Sequence, residues 1–211
     1  MGPGPGPEGR VLILLHGHGA SKSDLEPLAE ELAAAAAGWS FVLPNAPQRV
    51  GITGRSWFPR ISAESHSALQ LKVDEIRAEA REVVFEILED LAADGVARNR
   101  IYVGGFSQGA TVALDVVASE QGGNDVGGLV SLSGGAFDVD LESLRDRAQM
   151  RDFVSHGRGD QVLSVVKSRR LSELLEKNGH EVVFIEFAGG HQIPREVIES
   201  LIEFLQYDEA G

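Results

Sequence analysis

Ser107 stands in Gly105-Phe106-Ser107-Gln108-Gly109, with a glycine two places away on either side. A serine hydroxyl attacks a carbonyl only when it is accessible and has a base beside it. The spacing meets the first condition. A strand that stops, turns sharply and enters a helix presents the serine at the tip, and side chains two residues away would crowd that turn. The pattern alone is weak: random placement of 25 glycines and 17 serines among 211 residues produces it in about one chain in four. Its surroundings are more informative. Residues 101–104 read as a short buried strand and 110–118 as a helix buried on most of its surface.

A base and an acid must reach that hydroxyl from far along the chain, so the elements decide which residues qualify. Strand-like apolar runs lie at 11–15, 41–43, 101–104, 129–132, 153–155 and 182–187. Helical patterns separate them. One begins near Ser23, with Glu26 as its capping-box partner, and stops at Gly38. A second spans about 73–93, with Val73, Ile76, Val83, Ile87 and Leu91 along one face. A third covers 164–177 and closes at Asn178-Gly179; the last opens at Pro194. This alternation predicts an α/β fold with a mostly parallel central sheet and helices on both faces. Ligands in such sheets sit beyond the carboxyl ends of the strands, so a catalytic side chain should follow a strand.

Residues 46–72 interrupt the alternation. They hold Pro47, Gly51, Gly54, Trp57, Phe58 and Pro59 and read as an irregular loop partly covering the site. Trp57 and Phe58 suit the wall of a pocket for a short-to-medium acyl group; the alternative is that they anchor the loop in the core.

Of the six histidines, His180 precedes a strand and His66 lies in the irregular stretch. His156 ends the fifth strand, on the approach to a stronger candidate. His191 follows the sixth strand after Gly189-Gly190, where a base can reach over Ser107. Asp160, carried past the fifth strand by Gly157 and Gly159, is the expected acid, with Asp138 and Asp140 in reserve. The order serine, aspartate, histidine is that of α/β-hydrolases. The backbone N–H groups of Gln108 and of His18, in His16-Gly17-His18-Gly19, are the expected oxyanion donors. The His16 ring braces that loop. No metal or organic cofactor is required. Two other readings are weighed against this one. His16, His18, His156, Asp160 and His191 all fall at predicted strand ends and could ligate a metal, but that leaves the Gly-x-Ser-x-Gly turn unexplained. A hydrolase scaffold could also serve as a binding protein, but a receptor has no need of serine, base and acid together.

Composition narrows the partners. The chain has 32 acidic and 19 basic residues, a formal charge of −13, which argues against nucleic acid and anionic membranes. Cysteine is absent, which excludes disulfides, thiolate metal sites and a cysteine nucleophile. No apolar run reaches the roughly 18 residues of a membrane span, so stable membrane insertion is not expected. Residues 1–9 alternate glycine and proline and read as a flexible arm ahead of one domain over 10–211. With no export signal visible, the cytoplasm is the expected location.

Five segments, in this order, carry a resemblance: Leu15-His16-Gly17-His18-Gly19, Ser56-Trp57-Phe58, Gly104-Gly105-Phe106-Ser107-Gln108-Gly109-Ala110, His156-Gly157-Arg158-Gly159-Asp160 and Gly190-His191-Gln192-Ile193-Pro194. Together they resemble the phospholipase/carboxylesterase family of α/β-hydrolases, which includes the acyl-protein thioesterases. The resemblance runs from Val11 to the last helix. It implies an α/β-hydrolase fold and hydrolysis of esters or thioesters through a serine acyl-enzyme. The substrate it implies is a small-molecule or lipid-like ester, a lysophospholipid or a protein-bound acyl group. It also implies that the Trp57 region walls the acyl pocket, often with a homodimer. His18 departs from the family, which often has a small or aliphatic residue there, and makes the rim more polar. Gln161-Val162-Leu163-Ser164-Val165 lacks a proline often found after the acid, and the N-terminal arm is too short for much extra sheet.

Overall fold

The computed structural model describes residues 9–59, 70–119, 125–135 and 150–207. Its strands are β1 (Arg10–Leu15), β2 (Trp39–Val42), β3 (Gln48–Val50), β4 (Gly54–Ser56), β5 (Ile101–Phe106), β6 (Gly128–Leu132), β7 (Arg151–Gly157) and β8 (Glu181–Phe187). The helices are α1 (Glu26–Ala35), α2 (Gln70–Ala93), α3 (Gln108–Val117), α4 (Val165–Lys177) and α5 (Arg195–Tyr207). Six strands form one sheet in the order β2-β1-β5-β6-β7-β8, and every pairing in it is parallel. β1 has its chain neighbour β2 on one side and β5 on the other. The winding therefore reverses between β1 and β5, and their carboxyl ends frame the crevice where such sheets bind ligands.

Strands covered on both faces must be apolar at every position. β1 shows why. Val11, Ile13 and Leu15 pack with Ala80, Val84 and Leu88 of α2 and Leu171 and Leu175 of α4. Leu12 and Leu14 turn the other way, onto Leu28 and Leu32 of α1 and Val197, Leu201 and Phe204 of α5. All ten residues of α3 are buried. Its Asp115 is a carboxylate in the core that needs a partner, and Arg77 and Arg81 of α2 supply the charge. That pairing fixes α2 against α3.

Three expectations change. The capping pair is Ser21 and Asp24, not Ser23 and Glu26, and it closes a 3₁₀ turn ahead of α1, whose own N-cap is Leu25: the Asp24 carboxylate accepts from the Ser21 N–H at 2.8 Å and from its hydroxyl at 3.0 Å. A three-residue 3₁₀ turn, Lys22–Asp24, comes before α1 and puts Ser23 and Glu26 in different elements. In α2 the buried stripe is centred on Ala80, Val84 and Leu88, with Val83, Ile87 and Leu91 at its flank; the smallest residue marks the closest approach. The side chains of Val73 and Ile76 lie outside the described part. Residues 46–72 are also not irregular throughout. β3 and β4 form a hairpin stitched to the loop after β1, with Gly19 N–H donating to Arg55 O and Arg55 N–H to Ala20 O, both at 2.8 Å. Residues 60–69 of the expected cover, with His66, lie outside the described residues, as do Asp138, Asp140 and the arm at 1–8.

Two glycines are required by close approach. A Cβ on Gly109 would lie 2.1 Å from the Leu15 carbonyl oxygen, and one on Gly105 would lie 2.6 Å from the same oxygen. Backbone meets backbone there, so no side chain can move aside. Gly109→Ala should destabilise the protein by about 3 kcal/mol or more, as overpacking against fixed atoms does. Urea denaturation of the variant beside wild type measures this.

Candidate active site

β5 ends at Phe106 and α3 begins at Gln108, so Ser107 makes the whole turn. Its backbone sits at φ 56° and ψ −115°, in a region that costs a non-glycine residue about 1–3 kcal/mol. The surroundings hold it there. Its N–H donates to Leu132 O at 2.9 Å, and its carbonyl accepts from Thr111 N–H at 3.1 Å and the Thr111 hydroxyl at 3.2 Å.

His191 Nε2 lies 2.7 Å from Ser107 Oγ, and His191 Nδ1 lies 2.6 Å from Asp160 Oδ2. The carboxylate can only accept, so Nδ1 carries the proton and Nε2 is left to receive one from the serine. The loops that bring these residues together are zipped by backbone bonds, Arg158 N–H to Phe187 O at 2.9 Å and Gly159 N–H to Gly189 O at 2.8 Å. The His191 ring rests on Phe106, with ring centres 4.8 Å apart. The Asp160 side chain is inaccessible, while 17% of the His191 side chain is exposed. Burial alone would push the Asp160 carboxyl up. The Leu163 N–H, the His191 ring, the Val162 N–H and the His191 charge outweigh it and hold the group below its ordinary value.

On the other side of Ser107 runs the loop after β1. Gly17 packs on the nucleophile: a Cβ there would lie 3.5 Å from Ser107 Cβ. The His16 ring donates from Nδ1 to Gly17 O at 2.8 Å and accepts at Nε2 from Ala46 N–H at 3.1 Å. One nitrogen must give and the other must take, so the ring is neutral. Burial lowers its pKa, and Arg55 adds to this, against the Gly17 carbonyl and the Asp24 charge. Trp57 is fully buried, and its indole N–H donates to His16 O at 2.8 Å. The ring packs within the core cluster that includes Ile13, Leu15 and Ala46. Phe58 is half-buried at the edge of that core.

The Gln108 side chain does something the sequence did not reveal. Its Oε1 accepts from Trp57 N–H at 2.9 Å and from the Ser56 hydroxyl at 3.1 Å, and its Nε2 donates to Phe58 O at 2.7 Å. Ser56 in turn accepts from His18 Nδ1 at 2.9 Å. The residue after the nucleophile thus ties segment 56–58 to the loop holding His18. Only the juxtaposition of Gln108 with Ser56-Trp57-Phe58 could have signalled this, since a buried amide must find partners.

His156 is fully buried behind Asp160. Its Nδ1 lies 2.7 Å from Ser168 Oγ, and its Nε2 lies 2.9 Å from Leu163 O and 3.2 Å from Asp160 Oδ2. Both ring nitrogens of His16 and of His156 are therefore engaged by protein groups. Among the described residues no three His, Asp or Glu side chains converge as a metal site requires, and no helix is long and apolar enough to cross a membrane. A cavity of about 270 Å³ opens between Leu25, Leu28 and Glu31 on one side and Ile193 and Ile198 on the other; none of Ser107, Asp160 and His191 lines it.

The sequence pattern of the Phospholipase/Carboxylesterase family matches residues 3–208. The chain belongs to this family. It is 30% identical to acyl-protein thioesterase 1 of Kluyveromyces lactis over 213 residues, covering 94% of this chain and 92% of the relative. It is similar to the crystal structure of esterase PE8, with a TM-score of 0.79 and 26% identity over 96% of this chain and 94% of that one. Likeness to the Bacillus cereus carboxylesterase, with a TM-score of 0.75 and 24% identity over 99% of this chain and 92% of that one, is one of fold. The α/β-hydrolase architecture expected from the sequence is the one found, and this phospholipase/carboxylesterase family member is a hydrolase.

The neutral His16 ring ties stability to pH. Its folded pKa is below the ordinary value. The unfolded chain therefore binds the proton first, and the stabilisation is complete above the ordinary histidine range and is lost as pH falls toward the folded value. Urea midpoints should fall as pH is lowered from about 7 to 5, within which free histidine titrates. In His16→Gln, which cannot titrate, that part of the slope should disappear.

Proposed function

We propose that this hydrolase cleaves carboxylic esters or thioesters with short-to-medium acyl chains by two-step transfer of the acyl group to water. The observation that carries the reading is the unbroken line from Ser107 Oγ through the His191 ring to Asp160, at 2.7 and 2.6 Å. Ser107 attacks the carbonyl while His191 Nε2 takes its proton, and Asp160 holds the ring and stabilises the imidazolium. The backbone N–H groups of Gln108 and His18 receive the oxyanion; Gln108 stands at the amino end of α3, whose dipole favours negative charge. His191 returns its proton to the departing alcohol or thiol. It then takes a proton from water, whose oxygen attacks the acyl-serine, and protonates Ser107 as the acid leaves. Phe58 lines the acyl side in this scheme. Trp57 supports it from beneath by holding the His16 carbonyl.

A second substrate reading uses the same site: a thioester on an acylated protein, or a lysophospholipid. Relatives named acyl-protein thioesterase 1 favour the first of these.

A fluorophosphonate probe should label wild type at Ser107, and Ser107→Ala should abolish labelling and lower kcat about a million-fold with the fold intact. Asp160→Asn should lower kcat about ten-thousand-fold, because the ring is then held in the wrong tautomer. Near-normal hydrolysis by Ser107→Ala would end the assignment. A series of p-nitrophenyl esters compared with an S-acylated peptide ranks the two substrate readings by kcat/KM.

A further inference from the structure

Asp160 carries two histidines, and the proposed reaction uses one. The other, His156, lies at the end of β7 and shares no solvent with the site. Leu163 O, 2.9 Å from its Nε2, is a carbonyl and can only accept, so Nε2 carries a proton in any state of the ring. The same nitrogen lies 3.2 Å from Asp160 Oδ2, the oxygen that His191 Nδ1 meets at 2.6 Å. The other carboxylate oxygen, Oδ1, accepts from Val162 N–H at 2.8 Å and from Leu163 N–H at 2.9 Å. Oδ1 thus has two donors, and Oδ2 has the His191 donor with the His156 ring beside it.

The arrangement is nearly a mirror. Ser107–His191 stands on one side of the carboxylate and Ser168–His156 on the other. Burial separates the two. Ser168 is 2% exposed, within α4, and His156 is 0% exposed, so no substrate carbonyl can approach Ser168.

We propose that His156 is a positioning residue: its Nε2–H, bonded to Leu163 O, lies 3.2 Å from Asp160 Oδ2, and this dipole beside the carboxylate tempers the strength with which that oxygen holds the base. The inference rests on the reading of His191 as the base. An N–H dipole 3.2 Å from Oδ2 stabilises the negative charge on that oxygen. Without it, Asp160 stays in place through Val162 and Leu163, but Oδ2 becomes more basic and holds a protonated His191 more tightly. The charges around the two rings are Glu186 of β8, opposite His156 in register, Arg169 of α4, bonded to Glu186 at 2.6 and 2.8 Å, and Arg158 after β7. The substitutions below leave all three unchanged.

The test is kcat/KM against pH for wild type, His156→Asn and His156→Gln, beside fluorophosphonate labelling of each. Asparagine keeps a polar atom near Ser168 but is too short to reach Asp160. Glutamine can place an amide N–H where Nε2–H stands. In His156→Asn the acid limb should move to higher pH by about half a unit, roughly a threefold loss of activity on that limb, and His156→Gln should restore most of it. A lowered plateau with an unmoved limb, or equal displacement in both variants, would overturn the proposal and make His156 a packing residue. If His156→Asn does not fold, Ser168→Ala replaces it: releasing the far side of the ring should move the limb the same way by less, and an unmoved limb again overturns the idea. Labelled wild type with unchanged His156 profiles rejects this inference alone; unlabelled wild type removes the base reading and this one with it.

Discussion

The contact on which the site depends is between backbones. The first turn of α3 lies so close to the end of β1 that the Leu15 carbonyl leaves no room for a Cβ at Gly109 or Gly105. That approach sets two distances at once. It fixes where the turn after β5 presents Ser107, and it fixes where the chain leaving β1 must run. Gly17 comes down on the nucleophile as a consequence. β1 and β5 are also neighbours at the reversal in the sheet's winding, so this close packing falls where an open α/β sheet places its ligand. The strained backbone of Ser107 survives because β6 receives its N–H through Leu132 O.

Around that contact, polar groups are buried in number, and those that shape the site are paired. Gln108 fills its amide with three bonds to segment 56–58. Asp160 receives three donors. Such networks fix one geometry when complete and are costly when they lose a member. The cover is held by the same means. The β3–β4 hairpin is stitched to the loop after β1 by backbone bonds, and the indole of Trp57 is tied to the carbonyl of His16. The rim facing Ser107 is therefore built on rigid elements at its β1 side.

What the sequence disclosed follows from what periodicity and strand ends encode. Ser107, Asp160 and His191 stand out because each follows an apolar strand near glycines, and the structure brings His191 within hydrogen-bonding distance of both of the others. The sheet and its two covered faces were legible for the same reason. Aromatic residues in a loop suggest either a pocket wall or an anchor at Trp57; nothing local reveals that its N–H closes on a carbonyl forty-one residues away. The expected Ser23–Glu26 cap gives way to Ser21–Asp24 because a 3₁₀ turn, which has no periodic signature, comes before α1. The roles of Ser56 and of the Gln108 side chain are long-range bonds between segments that only the fold makes adjacent.

The histidines make the general point. Five of them lie among the described residues, and type alone does not distinguish them; their partners do. His16 faces a carbonyl and an N–H, which together lock it neutral. His18 leans on the hydroxyl of Ser56. His180 meets Asp152 at 2.6 Å at the amino end of the sheet, where Asp152 also accepts the Leu129 N–H at 2.8 Å, so that pair joins strands. His156 is sealed between Ser168, Leu163 and Asp160. His191 combines a carboxylate on one nitrogen, a serine hydroxyl on the other, and an edge open to solvent. The His156–Ser168 pair beside the same carboxylate has no such edge: both of its members are buried. Access to solvent, more than residue type, is what separates the two serine–histidine pairs in this fold.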